Sequence, residues 1–333
     1  MKKLFAILMI LVLCTSLFAC NGTAVTTSTK YIPDYERLVY SVTEAGSTSA
    51  GTLTLTSKRI KGTQDYTIQT IDENGALQDL PLVVDNNAFI LEGHLEFNGD
   101  VIDYKMVTNS GFRPLYSYKS LKVLAEQTAW TKETEEPACV SYVMTTTYEE
   151  GENKAFSRFL RQKKYGSSEM NLGEMDFDDL PSNTNTTYID INQMYYFIRC
   201  LSNLHEDDFR YTFYMPMALE SNTKFLICNG KPNQSKSLEN FPYIKEIYAN
   251  DENFALTYTA VTITPSGEPV TGASLSVYYA EQSIHSRNQL DHTKDGLCDR
   301  LPILIVENQR ANVIDSKDRG TITYSLMDVY TEE

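Results

Sequence analysis

The sequence lacks the short motifs that mark the common nucleotide-binding, redox and zinc enzymes. Its 333 residues contain no P-loop, no G-x-G-x-x-G, no C-x-x-C and no H-E-x-x-H, and only four histidines. The segment nearest to a nucleophile elbow, Gly272 to Ser276, has no final glycine and lies within a strand pattern. We therefore expect Ser274 to face solvent, and we expect no catalytic residues and no cofactor.

Basic residues and long apolar runs are also scarce. There are 29 Lys and Arg against 44 Asp and Glu, a formal net charge of −15. This balance argues against a basic surface for nucleic acid, so no nucleic-acid partner is expected. After the first 19 residues, no apolar run is long enough to span a membrane as a helix.

The N-terminus has the features of a secretory signal peptide. Lys2 and Lys3 precede an uncharged run over 4–18 that is too short to span a bilayer. Leu17-Phe18-Ala19-Cys20 then resembles a bacterial lipobox. The resemblance implies cleavage between Ala19 and Cys20 and acylation of Cys20. We predict a signal peptide over 1–19, a lipidated flexible tether over 20–33, and an extracytoplasmic protein anchored to the bacterial cell membrane by its lipid.

The remaining cysteines leave their redox state open. An oxidising compartment would permit disulfides, and four cysteines allow three pairings. The alternative is four buried free thiols, which the wide spacings favour. The four residues are Cys139, Cys200, Cys228 and Cys298.

Alternating apolar and polar residues predict β-strands through most of the chain from Leu38. The clearest hairpin turns at Asn98-Gly99, where both residues suit a type I′ turn. Three more are expected, turning near Gly151, Pro265-Ser266-Gly267 and Asp318-Arg319-Gly320.

Helical patterns are few. Residues 190–204 carry Asp190 as a candidate N-cap and an apolar stripe, and residues 117–129 form a weaker candidate. The acidic loop over 173–188 is predicted to separate two strand-rich halves, which could form two lobes. His205 would lie at the C-terminal end of the first helix, where a positive charge is favourable, and His94 would be a surface strand residue.

One cluster of metal-capable side chains lies within 284–300. Its spacing matches no standard zinc pattern and the stretch is polar, so we interpret it as a solvated loop and predict no metal site. The cluster comprises His285, Asp291, His292, Asp295 and Cys298.

Three segments together are similar to DUF3108, a family of bacterial envelope proteins of unknown function. Residues 38–58, "LVYSVTEAGSTSAGTLTLTSK", resemble its opening strands. Residues 190–208 resemble its short helix, with Tyr196 and Arg199 at aromatic-x-x-Arg positions. Residues 300–329 resemble its closing strand pair, from Arg300-Leu301-Pro302 to a turn at Gly320. The resemblance covers most of 36–331, within a β domain that we predict over 34–331, and it implies an antiparallel β architecture in the cell envelope, without catalytic residues.

We predict an all-β fold with minor α content, a curved antiparallel sheet or open barrel with one or two short helices packed against it. The predicted function is a non-enzymatic lipoprotein that binds an apolar, amphipathic or glycan ligand or an envelope partner, since ligands favour the mouths of barrels. A polysaccharide hydrolase with paired acids and a structural or adhesion role are the alternatives. An interior pocket would favour binding, facing carboxylates in a groove would favour hydrolysis, and a filled core would favour the structural role.

Overall fold

The chain folds into a β structure of nineteen strands within the residues that are described. The structure is a computed structural model and describes residues 25–48, 50–123, 140–149, 151–164, 166–181, 186–220, 222–265, 274–287, 297–308 and 321–332. The strands are β1 (Tyr35–Glu44), β2 (Ala50–Arg59), β3 (Gln64–Ile71), β4 (Leu77–Val84), β5 (Phe89–Phe97), β6 (Asp100–Thr108), β7 (Pro114–Val123), β8 (Tyr142–Glu149), β9 (Lys154–Gln162), β10 (Met170–Phe177), β11 (Thr186–Tyr188), β12 (Phe209–Met217), β13 (Asn222–Gln234), β14 (Tyr258–Pro265), β15 (Ser274–Ala280), β16 (Ile284–His285), β17 (Leu297–Cys298), β18 (Pro302–Asn308) and β19 (Ile322–Glu332). The α-helices are α1 (Met194–Arg199) and α2 (Pro242–Ile247), and short 3₁₀ turns span Thr29–Tyr31, Ile191–Gln193, Ala218–Glu220 and Leu238–Asn240.

Fifteen of these strands form one sheet. Its order is β10-β9-β8-β7-β6-β5-β2-β1-β19-β18-β15-β14-β13-β12-β11. Neighbours are antiparallel, except that β11 runs parallel to β12. The strands before and after the predicted boundary at 173–188 therefore share one sheet, joined through β1 and β19. The predicted antiparallel β architecture with one or two short helices is confirmed, and the helices are α1 and α2.

The sheet curls until its two edges meet through side chains. Tyr148 on β8 stacks on Tyr188 of β11, with ring centroids 6.1 Å apart and planes 7° from parallel. Ala155, Phe177 and Ala218 are buried in the same cluster. The two edges of the sheet are therefore joined by apolar side chains, whereas neighbouring strands within the sheet are joined by backbone hydrogen bonds.

The segment after β11 fills the interior. Asp190 caps the 3₁₀ turn, because its carboxylate accepts the Asn192 N–H at 2.9 Å and the hydroxyls of Ser117 and Tyr148 at 2.6 Å each. All six residues of α1 are buried. The helix is shorter than predicted, and it is buried on every side rather than along one stripe because the wall surrounds it.

An ion pair fixes α1 to β1 inside the barrel. Arg199 Nη1 lies 2.6 Å from Glu36 Oε2, and both side chains are fully buried. Arg199 Nε also donates to the Asp299 carbonyl at 2.8 Å. A charged pair of this kind is stable in the interior only while both partners are present.

The N-terminal segment lies against one end of the barrel. The Ser28 N–H donates to the Cys200 carbonyl at 2.7 Å, and Thr27 forms a β-bridge with Leu201. Arg59 Nη2 donates to the Thr29 carbonyl at 3.0 Å. Residues 25–33 were predicted to belong to a flexible tether, and several of their backbone groups find hydrogen-bond partners on the barrel.

The predicted hairpin at Asn98-Gly99 is confirmed, since both residues have the positive φ, 52° and 77°, that a type I′ turn requires. The hairpin at Gly151 joins β8 to β9 as predicted. The other two predicted hairpins pair as expected, β14 with β15 and β18 with β19, although their turns lie outside the described residues.

Two other expectations were wrong. In the weak helix candidate over 117–129, residues 117–123 belong to β7, where alternate side chains contact the two faces of the wall, and 124–129 lie outside the described residues. Part of the predicted loop at 173–188 belongs to β10 and β11.

The structure describes three of the four cysteines outside the N-terminal segment. Cys200, Cys228 and Cys298 are buried free thiols. Cys139 lies outside the described residues.

Burial of α1 gives a test of the interior packing. Replacing the fully buried Ile198 by aspartate should lower the free energy of unfolding by roughly 3–5 kcal/mol, because the new carboxylate would have no counter-charge designed for it. Urea denaturation measures this change. Leu77→Asp, at a side chain that is 48% exposed on β4, is the control and should change stability little. An unchanged midpoint for Ile198→Asp would contradict the interior position of α1.

Candidate functional site

The barrel interior offers no open mouth along α1. The side chains of Met194 to Arg199 are at most 5% exposed. Two buried tyrosines of the wall donate to backbone carbonyls. Tyr279 donates to the Tyr195 carbonyl at 2.9 Å, and Tyr40 donates to the Pro302 carbonyl at 2.7 Å. The two pockets described below both lie on the outside of the wall.

An open groove of about 620 Å³ lies on the outer face, at the end of the barrel where β1 begins and β2 and β19 end. We call it the basic groove. It is lined by Asp34, Tyr35, Arg37, Lys58, Arg59, Ile60, Lys61, Gln64, Tyr330 and Glu332. Four of these residues are basic and two are acidic, a local balance opposite to that of the whole chain.

Strand register places the groove side chains in two rows. Lys58 on β2 and Glu332 on β19 are both direct partners of Tyr35 on β1. Two residues further along β1, on the same face, Arg37 is the partner of Tyr330. The rings of Tyr35 and Tyr330 pack edge to face with centroids 6.1 Å apart. The groove thus presents an aromatic floor with cations on its sides.

Asp34 organises one end of the basic groove. Its carboxylate lies 2.7 Å from Lys61 Nζ and 2.9 Å from Arg59 Nε. The Lys61 ammonium and the Arg59 guanidinium lower the pKa of Asp34, so this carboxylate is ionised at neutral pH. Arg59 also donates to the Ile32 carbonyl at 2.9 Å and is committed to holding the chain in place.

The other cations are less committed. Lys58 is exposed, and within the described ranges it has no hydrogen bond or ion pair. Arg37 Nη2 lies 3.8 Å from Asp328, whose other carboxylate oxygen already accepts Arg287 Nε at 2.6 Å. Lys58 and Arg37 can therefore bind an incoming anionic group without giving up a strong internal partner.

A second, smaller pocket of about 170 Å³ lies between β3 and the outer wall. It is lined by Thr67, Gln69, Asp103, Tyr104, Lys105, Tyr116 and Tyr118. Lys105 is already 3.4 Å from Glu92 and lies over the Tyr66 ring at 4.7 Å, so this pocket offers less free charge than the basic groove.

The predicted lipidation and cleavage residues, Cys20 and Ala19, lie outside the described residues, and that prediction stays open. Of the metal-capable cluster, His285 on β16 and Cys298 on β17 are described, and their strands pair with each other. Asp291, His292 and Asp295 are not described. Among the described residues, no group of three or more such side chains is placed to hold a metal ion.

Three sequence-based expectations about single residues can be compared with the structure. His94 is a half-exposed strand residue as predicted, 2.6 Å from Asp103. Ser274 was expected to face solvent but is buried, and its hydroxyl accepts the Asn308 amide at 2.9 Å. His205 was expected to lie at a helix C-terminus, where its positive charge would be favourable. In the structure, burial and the neighbouring Arg300 instead lower its pKa to about 4.

The basic groove was missed by sequence analysis. Alternation predicted strands in this region, but Tyr330 and Glu332 come from the far end of the chain. No local pattern assigns that register. The one sequence signal was the concentration of Arg37, Lys58, Arg59 and Lys61 near the first hairpin of an acidic chain.

Within the described part of the chain, no helix combines the length and apolar character needed to cross a bilayer.

The neutral His205 predicts a pH dependence of stability. Its pKa is about 4 in the folded state, against about 6.5 in an unfolded chain, so below pH 6.5 the unfolded state binds more protons. Stability should therefore fall as pH drops from 6.5 towards 4. The His205→Gln variant should lose on the order of 2 kcal/mol less than wild type over this window. Urea denaturation at several pH values measures both slopes, and parallel slopes would contradict the assignment.

Comparison with known proteins identifies a similar solved structure but no family. No family model matches the chain, and none of the curated proteins matches it. One similar solved structure is a β-barrel-like protein of a domain of unknown function, DUF1849, from Brucella abortus. It has 9% sequence identity and a TM-score of 0.42, and the match covers 93% of this chain and 100% of the other.

Proposed function

We propose that this chain is a membrane-anchored bacterial lipoprotein that binds an amphipathic ligand with an anionic head, or an envelope partner carrying such a group. It acts through the basic groove and performs no chemistry on what it binds. The signal-peptide pattern ending at Cys20 supports both the anchor and an extracytoplasmic location.

The observation that carries this proposal is the combination of side chains in the groove. Lys58 has no ion pair among the described residues, and Arg37 has only a 3.8 Å approach to Asp328 and a position 5.6 Å from the Tyr330 ring centroid. Tyr35 and Tyr330 supply flat surfaces with a polar tip, which suit a ligand that is partly apolar. Ligand sites commonly pair a few polar groups with an aromatic lining in this way.

The alternatives gain different amounts of support. Asp34 and Glu332 both line the groove, but a glycosidase acid needs a raised pKa, whereas Lys61 and Arg59 lower that of Asp34. The hydrolase alternative therefore gains nothing from this pair. The filled interior around α1 favours a structural or adhesion role as the second candidate, in which the outer wall would be the working surface.

The anchor is tested by Cys20→Ala. Cells fed a radiolabelled or alkyne-tagged fatty acid should label the wild-type chain, and the variant should carry no label, because the thiol that accepts the lipid is gone. Cys200→Ala, which removes a buried thiol, is the control and should still be labelled. If the Cys20→Ala variant were labelled as strongly as the wild-type chain, the lipid anchor would not be at Cys20.

Ligand binding is tested by Lys58→Gln with hexyl phosphate as the probe and hexyl glucoside as its neutral counterpart. We expect hexyl phosphate to bind the lipoprotein in neutral nanodiscs and Lys58→Gln to weaken that binding about tenfold, since one charge-assisted hydrogen bond is lost. Isothermal titration measures the affinity.

The matched control is Lys122→Gln, an exposed strand lysine at the other end of the barrel that likewise has no partner within the described ranges. It should bind the probe as wild type does. Equal binding of hexyl phosphate and hexyl glucoside would show that the groove does not select an anionic head.

A further inference from the structure

The basic groove lies at the end of the barrel that receives the N-terminal segment. Asp34 follows residues 25–33 directly and is a groove residue, and Arg59 binds both that segment and Asp34. We call this end, at which β1 begins and β19 ends, the groove rim. An anchor on the N-terminal segment would therefore attach the barrel to the membrane at the groove rim.

Thr26 accepts the Ser202 N–H at 3.0 Å, which places Val25 at this end of the barrel, beside the segment before β12. The length of chain before Val25 therefore sets how far this end can lie from an anchor at Cys20. The two residues are five positions apart, and an extended chain spans at most about 3.6 Å per residue, roughly 18 Å in all. A barrel attached by so short a connection must keep this rim near the lipid headgroups.

The groove rim has a basic side, formed by the basic groove, and an acidic side, and this charge difference would determine which of them faces the membrane. Strand direction places the loops before β12 and β14 at the same rim. The segments before β12 (200–208) and β14 (235–257) carry seven acidic side chains against two lysines, Lys236 and Lys245. The acids are Glu206, Asp207, Asp208, Glu239, Glu246, Asp251 and Glu252. A bilayer with anionic headgroups repels that side and attracts the basic groove, so the two sides together orient the barrel.

We propose that the groove rim rests on the membrane that holds the Cys20 anchor, with the basic groove occupied by the anionic phosphate headgroups of that bilayer. The inference rests on the proposed function, because the anchor is what holds the rim within reach. Lys58 and Arg37 bind phosphate oxygens, and Tyr35 and Tyr330 lie at headgroup depth, where tyrosine is favoured.

The test is lysine accessibility in the full, lipidated chain. The protein is reconstituted into vesicles of phosphatidylcholine alone or of phosphatidylcholine with phosphatidylglycerol, and is labelled under single-hit conditions with a membrane-impermeant amine reagent. Peptide mass spectrometry then gives the labelling at each lysine. Labelling of Lys58 and Lys61 should fall about fivefold when phosphatidylglycerol is present.

Lysines at the opposite end of the barrel are the internal controls. Lys163 is a close match for Lys61, because each is exposed and lies 2.7 Å from one carboxylate. Its labelling, and that of Lys122, should be the same in both kinds of vesicle. In Arg37→Gln the protection of Lys58 should weaken, whereas Arg161→Gln, an exposed arginine on β9, should leave it unchanged.

The outcomes separate this inference from the proposed function. Intact mass showing no acyl group on Cys20 would overturn the anchor, and with it both proposals. An acylated chain whose Lys58 is labelled equally in the two kinds of vesicle would overturn the inference while leaving the proposed function standing. Loss of protection on addition of millimolar inorganic phosphate would show a site for a soluble phosphate instead of a bilayer surface, and would also overturn the inference.

Discussion

The wall of this barrel depends on the segment that fills it. A fifteen-stranded sheet encloses more space than its own side chains can fill, and an empty interior would forfeit dispersion contacts along every strand. Residues 190–199 occupy that space, with α1 buried on all sides and Asp190 fixed by three hydrogen bonds. The Glu36–Arg199 pair then ties the helix to β1, at the middle of the sheet. Loss of either partner would leave a charge stranded in the interior, so the helix and the wall stabilise each other.

Local sequence patterns predicted most of the individual strands and turns. They did not predict how far the sheet curls or how it encloses α1. Period-two alternation identified most strands, and Asn98-Gly99 and Gly151 identified two turns, because these features depend on nearby residues alone. A helix was wrongly predicted to begin at Ser117. The apolar and polar residues of 117–123 have a spacing that also fits part of a helical turn, but these residues belong to β7. Asp190 was recognised as a cap, but nothing local indicated that all faces of α1 would be covered. That fact depends on how far the sheet curls, which is set by pairings between distant strands.

The candidate site was hidden for the same reason. Its cations come from β1, β2 and the residues that follow β2, whereas Tyr330 and Glu332 come from the last strand described. The sequence shows a small basic cluster in an acidic chain, and the fold turns it into a groove by placing two tyrosines beside it. Because the rest of the surface is rich in carboxylates, such a groove stands out electrostatically more than its four cations would on a neutral protein.

The pairing of β1 with β19 joins the first and last strands described at the middle of the sheet, through partners such as Tyr35 and Glu332 that lie almost the whole chain apart. During synthesis from the N-terminus, the strands up to β18 emerge while this central seam is still open. Glu36 and the edge of β1 remain without their neighbour Thr331 until the final segment arrives. A premature stop before residue 322 would therefore split the sheet down its centre instead of trimming an edge, and quality-control proteases would meet two exposed strand edges, on β1 and β18.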